Sequence, residues 1–386
     1  MKVYYWSPFI SYVATTSAVI NSIKSIKKFS NGNIKCKIIN VFKEWDDYND
    51  KLTNNNLDLI ELNTKLNIKN LPKGSFLKSR LTYLITYFYS IFNLHFLLKK
   101  DKPEYLILHL ITSIPLTLLT IFNYETKFIL RISGYPKLNI LRSILWKLSA
   151  KKINKVFCPT HLTKEMLIKN KIFNSNKIFV VKDPIINVKK IVQNKKKLIE
   201  KNDEWIKEKK YIISIGRLTK QKNFSFLIEN FENISKEFKD LYLIILGEGE
   251  EKQKLNQLII KKNLEKKIFL IENKKNIYPY LVNSLFFVLT SNWEDPGFVI
   301  LEAMFARKLV FSSDCYNGPR EIIDHGFNGF LYKNNNKSDF EKKFLEVIKI
   351  IQRDDIDKKN ILRFAIKKTK LYSLFDHYKD IIKHLN

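Results

Sequence analysis

Two glutamates, Glu294 and Glu302, flank a Pro-Gly pair in the stretch SNWEDPGFVILEAMFARKLV, Ser291 to Val310. A carboxylate among apolar residues is costly to bury unless something pairs with it. Asp295-Pro296 reads as a helix start, with Asp as the N-cap and Pro at the first helical position, where its missing N–H costs nothing. The amides of Gly297, Phe298 and Val299 would then be the open donors of a helix N-terminus, a ready anion site. Phe298, Leu301, Glu302 and Phe305 would share one face and carry Glu302 toward that site, while Glu294 reaches it from the preceding loop. On this segment alone, an exposed Glu302 on a solvated helix face fits equally well.

A second group of chemistry-bearing residues lies upstream, in SIGRLTKQKN. Gly216 closes an apolar run and lets the backbone turn or approach a ligand. Arg217 and Lys222 follow, a guanidinium fork and a flexible ammonium that suit a phosphate or diphosphate. LGEGEE, Leu246 to Glu251, has three acids that would repel a phosphate, so it reads as a strand-to-helix turn. Carboxylates repel phosphate but accept hydrogen bonds from sugar hydroxyls. The ligand that satisfies both groups has an anionic end and a hydroxylated end, as a nucleotide sugar does.

These residues need elements to hold them. KVYYW, CKIINVF, YLILHL, KFILRIS, KVFCPT and KIFVVKDP are short apolar runs separated by stretches of helical spacing. A lysine-rich segment, Asn187 to Lys210, follows, and the pattern restarts with YIISIGR, LYLIILGEG, KIFLIE, LFFVLTS and KLVFSS. Alternating strands and helices imply parallel sheets covered on both faces. The expected fold is α/β, with two Rossmann-like doubly wound domains. The first covers residues 1–190 and the second 191–368, with a closing amphipathic helix at 369–386. Ligands of such sheets bind outside the carboxyl ends of the strands, which is where both groups fall. Two charge-free runs, Leu81 to Leu98 and Tyr105 to Tyr124, reach or approach spanning length. The first is broken by polar residues and fits a buried or surface-dipping helix. The second contains Pro115 and reads as a strand followed by a helix.

The chain of 386 residues carries a formal net charge of +30. Residues 1–200 hold 34 Lys and Arg against 12 Asp and Glu, and residues 201–386 hold 34 against 26. The excess sits in the first half, which suggests that this half faces an anionic surface, although lysine-rich composition throughout offers a simpler reading. A membrane with anionic lipids fits. Nucleic acid is not an expected partner, because no clustered aromatic-basic module is present. Cys36, Cys158 and Cys315 are far apart and contain no CxxC pair, which fits a reducing compartment and no structural zinc. The opening MKVYYWSPFI lacks the pattern of a signal peptide.

Taken together, SIGRLTKQKN, IILGEGEE, NIYPYL, SNWEDPGFVILEAM and SDCYNGPREIIDHGFNGFLY closely resemble glycosyltransferase family 4, a retaining group whose mark is two glutamates separated by seven residues. The resemblance covers about Tyr211 to Tyr332. It implies the GT-B fold, two domains facing across a cleft with the last helix crossing back onto the first. It implies that Arg217 and Lys222 hold the donor diphosphate and stabilise the leaving group. Glu294 would contact the donor sugar, Glu302 the ribose hydroxyls, and the backbone of Gly297 to Val299 the phosphates. It implies no metal and no cofactor, the basic pair taking the charge a cation would neutralise. The donor would most often be a UDP-sugar carrying a hexose or N-acetylhexosamine, and the acceptor a lipid-linked or growing surface glycan. Such an enzyme would be cytoplasmic and peripheral on the inner face of the cell membrane.

The sequence departs from the family pattern at three places. Ala14-Thr15-Thr16 stands where a Gly-Gly donor loop is common, so Thr15 and Thr16 are the candidates there. Ser133-Gly134 stands where many members carry a histidine, leaving His109 as the acceptor-side candidate. Glu272 replaces a usual glycine. The alternatives are a GT-B nucleotide-sugar epimerase, which needs no acceptor, or a non-enzymatic binder of an anionic polymer or membrane.

Overall fold

The computed structural model describes residues 1–10, 15–63, 67–72, 76–134, 138–353 and 356–385. The chain divides into two compact units, residues 1–185 with 374–386, and residues 186–373. The first holds seven parallel strands: β1 (Lys2–Trp6), β2 (Lys35–Asn40), β3 (Asp58–Glu61), β4 (Tyr105–Leu108), β5 (Lys127–Arg131), β6 (Lys155–Cys158) and β7 (Ile178–Val180). Their order is β3-β2-β1-β4-β5-β6-β7. Side chains alternate across the sheet. Tyr4, Trp6, Leu106, Leu108, Phe128 and Leu130 enter one core, and Val3, Tyr5, Ile38, Ile107 and Ile129 the other. The second core is closed by helices Thr15–Phe29 and Leu374–Leu385, which pack together. Ser25 Oγ donates to Leu374 O (2.5 Å), and Tyr105 OH donates to Leu385 O (2.7 Å).

The second unit holds β8 (Lys210–Ile215), β9 (Leu241–Leu246), β10 (Ile268–Ile271), β11 (Phe286–Leu289), β12 (Leu309–Asp314) and β13 (Phe330–Lys333). They are parallel in the order β10-β9-β8-β11-β12-β13. Chain order reverses between β1 and β4 in one sheet and between β8 and β11 in the other. Those reversals open the crevices in which doubly wound sheets take ligands. The run Leu81 to Leu98 lies within one long helix, Phe76–Asp101, and the run from Tyr105 forms β4 followed by helix Ser113–Ile121. Residues 247–251 turn from β9 into helix Lys252–Lys261.

Candidate functional site

At the second reversal, the loop after β8 and the loop after β11 are stitched together. Asn292 N donates to Gln221 O (2.8 Å), Asn292 Nδ2 to Lys220 O (2.9 Å) and Gln221 Nε2 to Trp293 O (2.9 Å). Thr290 Oγ1 donates to Lys222 O (3.1 Å). This lattice brings Lys222 Nζ to 2.6 Å from Glu294 Oε1, with side chains only 14% and 4% exposed. Ser291 Oγ donates to the same oxygen (2.5 Å). Glu294 Oε2 accepts no hydrogen bond among the described residues. A carboxylate oxygen offers two acceptor sites, so capacity for a ligand hydroxyl remains.

Gly216 is required by its neighbour. A Cβ there would lie 3.0–3.3 Å from Cε, Cδ and Cγ of Lys222, so glycine leaves the lysine stem room to run over the strand end. Gly247 supports the same loop from behind, since a Cβ on it would fall 1.9 Å from Gly216 O. Arg217 is exposed and has no carboxylate partner among the described residues. An exposed guanidinium and a half-buried ammonium in the one loop after β8 are groups that suit a multivalent anion.

The helix after β11 starts later than its sequence implies. Asp295 is not the N-cap and Pro296 is not its first residue. Helix Phe298–Phe305 is preceded by Gly297 in the left-handed region, at φ 88°, and the Asp295-Pro296 bond is cis. Tertiary contacts override the local capping preference. Asp295 Oδ1 accepts from Asn317 Nδ2 (2.9 Å), and Gly318, at φ 125°, lets Pro296 O approach where a Cβ would be 2.1 Å away. The first intrahelical donor is Ile300, to Gly297 O (3.0 Å), so the amides of Gly297, Phe298 and Val299 precede it as expected. Leu301 is not on the face of Glu302. It is buried with Ile300, Ala303 and Met304, whereas Phe298, Glu302 and Phe305 share a half-buried side.

Glu302 has no close ion-pair partner among the described residues. Burial pushes its carboxyl from 4.5 up to about 7, an effect opposed by Lys190. The residue is half-buried, and its low-dielectric surroundings set this value. Tyr278, raised chiefly by burial, also feels its charge. Lys190 lies on helix Val188–Lys195, within a lysine-rich segment whose spacing does not single it out. Ser291 was equally unmarked, apart from its position three residues before Glu294. Glu272 is exposed and paired with Lys252 (3.2 Å). Among the described residues, no group of three or more His, Cys, Asp or Glu is placed to hold a metal.

The remaining candidates belong to the first unit. Ala14 lies outside the described residues. Thr15 opens helix Thr15–Phe29, and Thr16 is buried with its hydroxyl 3.4 Å from Tyr48 OH. His109 follows β4; its amide donates to Trp6 O (2.8 Å) and its ring stacks on Tyr5 at 5.9 Å. Burial, then Arg131 and His377, push it down to about 3, so the ring is neutral, and its buried Nδ1 has no partner. Ser133 and Gly134 are half-buried just past β5.

Two doubly wound parallel sheets, the second with a cationic group and paired carboxylates at its reversal, define the GT-B class. Anabaena HepE in complex with UDP has the same fold over all of this chain and 99% of its own, with a TM-score of 0.74 at 13% identity. Residues 195–362 match the family of glycosyl transferases group 1. An uncharacterised glycosyltransferase of Methanocaldococcus jannaschii is 32% identical over 242 residues, 59% of each chain. The N-acetylgalactosamine-N,N'-diacetylbacillosaminyl-diphospho-undecaprenol 4-alpha-N-acetylgalactosaminyltransferase of Campylobacter jejuni is 31% identical over 176 residues, 46% of each. The chain therefore spans less than two thirds of either relative's length.

Proposed function

We propose that this protein is a retaining glycosyltransferase of family 4 type, moving a hexose or N-acetylhexosamine from a UDP-sugar to a lipid-linked or growing surface glycan. The observation that carries the reading is the Lys222–Glu294 pair at 2.6 Å at the reversal of the second sheet, with Glu302 about one turn along the adjoining helix and short of a partner. Lys222 and Arg217 bind the diphosphate, joined by the open amides of residues 297–299. As the bond from the anomeric carbon to the phosphate oxygen breaks, charge grows on that oxygen, and the preorganised cations stabilise it. The acceptor hydroxyl bonds to the same carbon on the same face and passes its proton to the departing phosphate. Glu294 holds the sugar through Oε2, and Glu302 accepts from the ribose hydroxyls. A UDP complex of a similarly folded protein and an undecaprenol-linked substrate in a relative's name support the donor and acceptor classes.

The test is thermal stabilisation by UDP-, GDP-, ADP- and CMP-sugars, on the wild type and on Glu302→Ala. A ligand at 100 times its Kd stabilises by about 2.7 kcal/mol, a shift of about 5–10 °C for a unit of this size. UDP-sugars should shift the wild type and not the variant. No shift with any nucleotide class would overturn the reading. Release of an epimerised free sugar without acceptor would reassign the site to an epimerase.

A further inference from the structure

Helix Phe76–Asp101 packs apolar residues on the core and turns a second apolar row outward. Thr82, Thr86 and Ser90 face inward and are wholly buried, while Leu77, Leu81, Leu84, Phe88, Phe92 and Phe96 face outward, 49–77% exposed. A helix on a water-soluble surface keeps polar residues on its outer side. Its inner side is tied by hydroxyls: Tyr83 OH donates to Ser113 Oγ (2.6 Å), Tyr87 OH to Thr117 Oγ1 (2.9 Å) and Thr82 Oγ1 to Pro72 O (2.5 Å). Helix Ile140–Ala150 repeats the pattern. It buries Trp146 and exposes Ile140, Leu141, Ile144 and Leu148 by 50–79%. Both helices pack on helix Ser113–Ile121 and share one core cluster on one face of the first sheet, so their outer sides look the same way. This many exposed apolar side chains on two helices packed against a common third mark an interaction site.

Charge identifies the occupant. The sequence has no acidic residue between Glu61 and Asp101, nor between Glu125 and Glu165. Exposed Lys78, Arg80, Lys99, Lys100, Arg142 and Lys147 border the apolar side chains. A second copy docked on this face would bring two basic rims together with no acids to neutralise them. We propose that the outer faces of helices Phe76–Asp101 and Ile140–Ala150 rest on an anionic lipid bilayer, apolar side chains entering the acyl boundary and the basic rim meeting the headgroups. The longer helix is long and apolar enough to span a bilayer. It lies along the surface instead, because Leu94 and Leu98 pack into the sheet's own core with Trp6 and Leu106. This inference is independent of the donor assignment.

The experiment is co-sedimentation of the full chain with vesicles of phosphatidylcholine alone or mixed equally with phosphatidylglycerol, at low and high salt. The wild type should bind the anionic vesicles and keep part of that binding at high salt. Phe88→Ser with Phe92→Ser should weaken it at least about tenfold, with unchanged thermal midpoint and UDP affinity. Equal binding of wild type and variant, or complete loss with salt, would overturn the inserted face and leave charge alone. A wild-type dimer in sedimentation that the double variant abolishes would assign the face to self-association instead.

Discussion

The carboxyl edges of the two sheets share a strand order but are furnished in opposite ways. At the second, Lys222 and Glu294 are paired at 2.6 Å and Arg217 stands open to solvent. At the first, the buried guanidinium of Arg131 is consumed by Asp183, also at 2.6 Å. Beside it are two uncharged groups, Ser7 Oγ and the neutral His109 ring, each with a buried polar atom lacking a partner, and Arg131 itself keeps an unpartnered Nη1. One edge exposes a cation, Arg217, to an anion, and the other buries its cation among neutral donors and acceptors suited to hydroxyls or water. In the proposed reaction, that difference separates the donor's diphosphate from the acceptor's sugar.

The largest effect that sharpens this comparison is expected at Lys222. Lys222→Ala removes leaving-group stabilisation and should cut transfer about a hundred- to a thousandfold. It also strands the buried Glu294 carboxylate, which should cost about 3–5 kcal/mol in urea unfolding. An unchanged turnover number would break the assignment of the second edge.

Acid should then act with opposite sign on two buried imidazoles of the first unit and on Glu302 of the second. Burial holds His377 at about 4 and His109 at about 3, below the ordinary 6.5. The unfolded chain takes protons that these two folded imidazoles refuse, so they withdraw stability as pH falls from 6.5 toward 4, against Glu44 of the same unit, which burial raises to about 8. Glu302 is raised from 4.5 to about 7, so the folded second unit holds its proton more tightly than the unfolded chain. Its contribution to stability grows as pH falls from 7 to 4.5. In hydrogen exchange, Glu302→Gln should remove an acid-induced gain in the opening free energy of the second unit, and Glu44→Gln should uncover the acid-induced loss from the histidines in the first.

The smallest effect is expected at His109. Its Nδ1 is unpartnered and its ring stacks on Tyr5, so His109→Phe should change stability by less than about 1 kcal/mol. If the first edge meets the acceptor, the acceptor KM rises while UDP affinity is unchanged. Equal acceptor kinetics would leave this histidine as packing.

Much of the fold was legible because interior strands of parallel sheets are continuous apolar runs, as in YIISI and LFFVL. The two strands that escaped, β3 (Asp58–Glu61) and β13 (Phe330–Lys333), are the short, partly exposed edges, DLIE and FLYK, whose polar ends break the run. In the site, Gly216, Lys222 and Glu294 were legible because each lies in a loop that directly follows a strand, whereas Glu302 stood out as a carboxylate in an apolar helical stretch. It misplaced the helix start, since Gly297 and the Gly318 approach to Pro296 are set by a loop more than twenty residues away. Lys190 was invisible for the same reason, lying over a hundred residues before the glutamate it influences. The outward apolar row of helix Phe76–Asp101 was hidden because apolar residues occupy both of its sides.

The central claim is that Glu302 holds the ribose of a nucleotide at the second edge. Calorimetric titration of UDP and 2′-deoxy-UDP into the wild type and Glu302→Gln, above the titration of the carboxyl, tests it as a two-by-two cycle. A hydrogen bond to an ionised group is worth about ten- to a hundredfold, so the wild type should prefer UDP by that factor and the variant by much less. An identical preference in both proteins would contradict it.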